Sequence, residues 1–92
     1  MIQNYALTVT DIPILIATGE SGDADRFVLI SNTGNQDCFV GGEAVTSANG
    51  VFIHKGDSIA SRESFKLTAT DKLYAICGAG HTTTVRVLTG GN

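Results

Sequence analysis

Residues 27–58 read FVLISNTGNQDCFVGGEAVTSANGVFIHKGDS, and this stretch decides the fold class. Three apolar runs, Phe27 to Ser31, Gln36 to Gly41 and Val51 to His54, are each too short for a helix. They are separated by Asn32-Thr33-Gly34-Asn35, by Asn49-Gly50 and, at the end, by Lys55-Gly56-Asp57. Asn-Gly is a strong two-residue hairpin signal, and Gly34 stands where a tight turn needs backbone freedom. Short apolar runs punctuated in this way predict antiparallel strands.

The pattern continues in both directions. Upstream, Tyr5, Leu7 and Val9 fall on one face and Asn4, Ala6, Thr8 and Thr10 on the other, the period-two alternation of a half-buried strand. Ile14 to Thr18 follows. It and Phe27 to Ser31 are almost wholly apolar, which predicts strands covered on both sides. Downstream come Phe65 to Thr70, Lys72 to Cys77 and Thr82 to Thr89. In the last, Thr83, Val85 and Val87 oppose Thr84, Arg86 and Leu88. No window of twelve residues has an apolar period near 3.6, so no helix longer than a turn or two is expected. The expectation is an all-β domain spanning residues 1–92, a small antiparallel sandwich or barrel of about eight short strands. The run Glu20 to Asp25 lacks large apolar residues and reads as an exposed loop.

Composition bounds the function. The chain has 92 residues, 42% hydrophobic and 16% charged, with six basic against nine acidic side chains and a net charge of -3. The basic residues are scattered singly, so no nucleic-acid footprint is visible. The longest apolar run, Ile12 to Ala17, is broken by Pro13 and is far short of the ~20 residues a membrane helix needs. The opening Met1 to Asn4 has no basic and apolar leader pattern, which predicts a protein kept where it is made. A domain this small buries only about 60–65% of its unfolded surface, so oligomerisation or docking onto a larger body is expected.

Candidate chemistry is sparse. His54 and His81 are the only side chains suited to base catalysis near neutral pH, and neither sits in a nucleophile motif, although Ser58 and Ser61 follow His54 closely. Cys38 and Cys77 lie within apolar strand-like runs, where they serve as buried thiols or as one cross-strand bridge. They and the histidines lack paired metal-ligand spacing. Glu20, Asp23 and Asp25 depart from an EF-hand loop in length and terminal Glu, and read as solvated acids. Gly41-Gly42 and Gly78-Ala79-Gly80 precede no helix and read as bends rather than phosphate cradles. With no Trp and only Tyr5 and Tyr74, a sugar-binding platform is a minor reading. No catalytic, cofactor-binding or metal residue is therefore assigned, and the chain is read as a non-enzyme.

The order of these parts resembles that in small β-rich accessory proteins of tailed-bacteriophage virions. The matching parts are Ile30 to Asn35, Phe39 to Gly42, Val45-Thr46, Asn49-Gly50, Gly56-Asp57, Leu73 to Ala75 and Thr82 to Leu88, and the stretches that contain them, residues 27–58 and 71–91, cover somewhat under two thirds of the chain. The resemblance implies a capsid decoration, or cement, protein that sits on the head shell as a homotrimer and contacts the major capsid protein. It would be made in the host cytoplasm and end on the virion surface. The segment before Phe27 lies outside the resemblance, and residues 1–12 are the candidate docking arm. The alternative within the same resemblance is a tail or vertex component that binds a host surface through Glu20 to Asp25 and Glu43 to Asn49.

Overall fold

The computed structural model describes residues 2–19, 26–68 and 71–91, with eight strands among them. They are β1 (Gln3–Val9), β2 (Ile14–Thr18), β3 (Arg26–Asn32), β4 (Cys38–Gly41), β5 (Val51–Ile53), β6 (Arg62–Leu67), β7 (Lys72–Cys77) and β8 (Thr83–Gly91). A single 3-10 turn, Ile59–Ser61, precedes β6. The predicted loop Glu20 to Asp25 and the last two residues of the predicted strand Phe65 to Thr70 lie outside the described residues.

The strands form two antiparallel sheets, which we call A (order β1-β8-β3-β6) and B (order β2-β7-β4-β5). First pairs with last, second with seventh, third with sixth and fourth with fifth. That nesting describes a hairpin of four strand pairs rolled upon itself, the eight-stranded jelly roll with two Greek keys. The domain is thus a sandwich, which resolves the choice between sandwich and barrel.

Alternation supplies the core. From sheet A, Val9, Val28, Ile30, Leu67, Val85 and Val87 point inward; from sheet B, Ile16, Ala17, Cys38, Val40, Ile53, Leu73, Ala75 and Cys77 meet them. Polar residues close the layer at its ends. At one end the Tyr5 hydroxyl donates to the Ile16 carbonyl, and the Arg26 guanidinium donates to the Thr18 carbonyl at 2.9 Å and to Gln3 Oε1 and Thr89 Oγ1 at 3.2 Å. At the other end Asn32 is fully buried, and its amide nitrogen donates to the carbonyls of Gln36 (2.8 Å) and Ile53 (3.4 Å). Its oxygen accepts from Thr83 Oγ1 (2.8 Å) and the Gly34 N–H (3.3 Å). All four hydrogen-bonding positions of the amide are used, and they join β3, β8 and the end of β5. The turn before β7 is held by the Asp71 carboxylate, which accepts from Thr68 N and Oγ1; those bonds keep its acid below the usual 3.8.

Three expectations change. Strand β6 begins at Arg62, not Phe65, because it pairs with β3 over Arg26 to Ser31 and an edge strand needs only alternate residues to be apolar. Asn49-Gly50 does not close a two-residue hairpin, since nine residues, 42–50, join β4 to β5 and Val45 within them turns back onto the sheet. Most consequential, the apolar run Phe27 to Ser31 is covered on one side only. Val28 and Ile30 are buried, while Phe27 is 64% and Leu29 38% exposed. A two-layer sandwich has a single interior, so an apolar outward row stays open to solvent.

Candidate functional site: the outer face of sheet A

Strand register places four rows across this face. The first holds Thr8 and Thr84; the second Ala6, Arg86, Ser31 and Arg62; the third Asn4, Leu88, Leu29 and Ser64; the fourth Gly90, Phe27 and Lys66. Ile2, 75% exposed, lies over Gly90, with its Cγ1 3.8 Å from where a Cβ on that glycine would stand. Ile2, Phe27, Leu29 and Leu88 wall an apolar hollow of about 180 Å³. Beside it a larger open groove of about 520 Å³ runs past Leu29 and Leu88 to Ser31, Thr33, Asp57, Arg62 and Arg86. The face is therefore apolar at one end and carries two arginines at the other.

Sheet B treats its outer face differently. Ile76 is buried and Val45 only 4% exposed, yet neither belongs to the central core. Val45 Cγ2 stands 3.0 Å from the Cβ position of Gly41, so the segment between β4 and β5 folds back over part of its own sheet. Open on this side are Leu15, 43% exposed on β2, and an aromatic group, Phe39 against Phe52 with ring centres 5.6 Å apart and Phe52 edge-on to His54 at 6.0 Å.

The catalytic candidates do not assemble. His54 Nδ1 lies 2.6 Å from the Lys55 carbonyl and Ser61 Oγ donates to that same oxygen at 2.9 Å. Two donors on one acceptor leave neither to act as base for the other. Ser61 is fully buried and also receives the Ser58 N–H. His81 sits in the turn before β8, its N–H on the Gly78 carbonyl. The glycine pairs make turns: the Gly42 carbonyl accepts from Val45, and Gly80, at φ +75°, donates to Asp11 Oδ2. Glu20, Asp23 and Asp25 lie outside the described residues, among which no three metal-ligating side chains gather.

Cys38 and Cys77 are directly opposed across β4 and β7, both buried and both thiols. Burial, with the neighbouring Cys77 and Asp37 adding to it, pushes the Cys38 thiol up from 9.0 to about 12. Burial also raises Cys77, against a backbone hydrogen bond from Thr83. Thiolates carry thiol chemistry, so Ellman's reagent at pH 8 is expected to find no reactive thiol in the native protein and both after unfolding in guanidinium. Rapid native labelling would refute this.

Among family models, curated proteins and solved structures, none matches the chain. The reading of the site therefore stands on its own geometry. Residue-by-residue reading missed that Arg62 and Arg86 share one row of the face, since they are far apart in sequence and are brought to either side of Ser31 only by strand pairing. The signal for the apolar half was present in FVLI, where no polar residue alternates.

Proposed function

We propose that this chain is a non-enzymatic structural protein of a tailed-phage virion, a decoration protein that binds the head shell as a homotrimer and stabilises it by bridging major capsid protein subunits. The outward apolar cluster of Ile2, Phe27, Leu29 and Leu88 carries the reading, because a small domain that leaves such a face open gains by covering it. The parts that carry the resemblance supply structure: the turn around Asn32, the Val45 cover and the central strand β8. Jelly rolls recur in capsid proteins, although a fold alone does not assign a role. Among the described residues β1 is an edge strand of sheet A, and from Gln3 to Val9 it carries no charged side chain, suited to contact with a neighbouring protomer or the shell. Any contact made by residues 3–9 is thus made by a strand fixed in the sheet.

The test is binding of purified protein to purified capsids, read as copies per particle and as particle melting temperature. On the order of hundreds of copies with a raised melting temperature is the expected result. About 5–12 copies would replace the shell assignment with a vertex or tail one, and no binding would overturn the proposal.

A further inference from the structure

The arginine end of the face specifies the chemistry of what docks there. Arg62 and Arg86 flank Ser31 from neighbouring strands, about 10 Å apart at the backbone given a strand spacing of about 4.8 Å. Both are exposed, and neither side chain makes a hydrogen bond or ion pair with a described residue. Arg26, by contrast, is committed to three acceptors. Of the chain's six basic residues, these two and Lys66 occupy this one face, and Glu63, the one acidic residue of its four strands, alternates to the other side of β6 opposite inward Ile30. Asp57 stands at the rim, where its Oδ1 accepts from Ser31 Oγ at 3.2 Å. It thereby holds the hydroxyl between the arginines and leaves the groove with a net positive charge.

We propose that the outer face of sheet A binds an acidic, partly apolar segment of a partner protein. Arg62 and Arg86 take its carboxylates, and Leu29, Leu88 and Phe27 take apolar side chains on the same face of the segment. A guanidinium offers a planar fork that matches a carboxylate with two parallel hydrogen bonds. The apolar hollow lies one row from the arginines, two residues along the strands, so an extended segment that carries its acidic and apolar side chains on one face, at positions i and i+2, satisfies both ends. In a chain of net charge -3, an acidic partner is repelled broadly and attracted at this face, which orients docking. Duplex nucleic acid fits less well, since the groove floor is apolar and only two arginines line it.

This inference rests on the face being a docking surface, but its test needs no virion. The probe is an acetylated, amidated heptapeptide, Glu-Ser-Leu-Ser-Glu-Ser-Leu in sequence, whose glutamates and leucines share one face when extended; it is titrated into the labelled protein and followed by amide NMR, with the peptide carrying glutamine for glutamate as control. Saturable shifts centred on Leu29, Ser31, Arg86 and Leu88 are expected, at least about tenfold weaker with the glutamine peptide and weakened by about 0.5 M salt. The double variant R62Q/R86Q is expected to lose about tenfold in affinity at unchanged melting temperature, since both side chains are exposed. Equal binding of both peptides, undiminished binding by the variant, or tighter arginine-dependent binding of a DNA duplex would overturn the assignment. Peptide binding without capsid binding would keep it and overturn the virion reading.

Discussion

Gly34→Ala is expected to lower the melting temperature by roughly 15 °C or more, an outsized loss for one methyl group. A Cβ at this position would stand 2.0 Å from Thr83 Oγ1 and 2.8 Å from the Thr84 backbone nitrogen, closer than carbon can approach either. Neither neighbour can yield cheaply. Thr83 Oγ1 is committed to Asn32 Oδ1, and the Thr84 carbonyl holds the N–H groups of both Thr33 and Gly34 at 3.0 and 3.1 Å. Relief requires lifting the 33–36 turn off β8. That would break the Gly34 N–H bond to Asn32 and disturb its amide bond to the Gln36 carbonyl inside a buried network. Overpacking costs about 1–3 kcal/mol, and each buried polar group left unsatisfied about 1–3 more. A total of about 3 kcal/mol or more is a large share of the 5–14 kcal/mol or so that 92 residues sustain, and each kcal/mol moves the melting point by about 4–8 °C at this size. Gly42→Ala is the control, because a Cβ there meets nothing within 4 Å. Thermal unfolding followed by circular dichroism decides it: if the two variants melt together, the close packing of the turn on β8 is wrong.

Turns and strand faces were legible in the sequence because they are local. Gly34 does fall in the connection between β3 and β4, and in β8 the residues Val85 and Val87 face in while Arg86 and Leu88 face out, as alternation requires. Pairing was not legible. Tyr5 lies opposite Val87 across 82 positions, and nothing short-range in either strand encodes that partnership. Asn32 shows the limit most sharply. In the run Asn32-Thr33-Gly34-Asn35 it reads as one more turn residue, yet it is fully buried while Asn35 is exposed. Only the arrival of Thr83 and the Ile53 carbonyl turns the first asparagine into a hub. The same holds for the docking face. Arg62 and Arg86 are ordinary surface charges until β3 separates them by one strand, and the exposure of Phe27 depends on no second layer of described residues packing outside sheet A.

Serine substituted at Val87 and at Leu88 is expected to separate folding from docking by one residue. Val87 is 1% exposed in the middle of β8, where its methyl groups contribute to the core and no polar atom waits for a hydroxyl. Val87→Ser therefore loses buried apolar surface, opens a small cavity and strands a hydroxyl, at a cost of about 3–4 kcal/mol. Leu88 is 43% exposed, and the same substitution there is expected to change stability by no more than about 0.5 kcal/mol. Its effect falls on binding. Leu88 stands between Asn4 and Leu29 and borders both the apolar hollow and the arginine groove, the central position at which truncation costs an interface about 2 kcal/mol, or roughly thirtyfold in affinity. Serine is chosen over aspartate so that no new carboxylate pairs with Arg86 on the same face. Urea unfolding and capsid binding of the two variants are the measurements. A Leu88→Ser protein that binds as wild type would show that the open apolar row is incidental surface. One that unfolds like Val87→Ser would show that the row is covered within the domain itself.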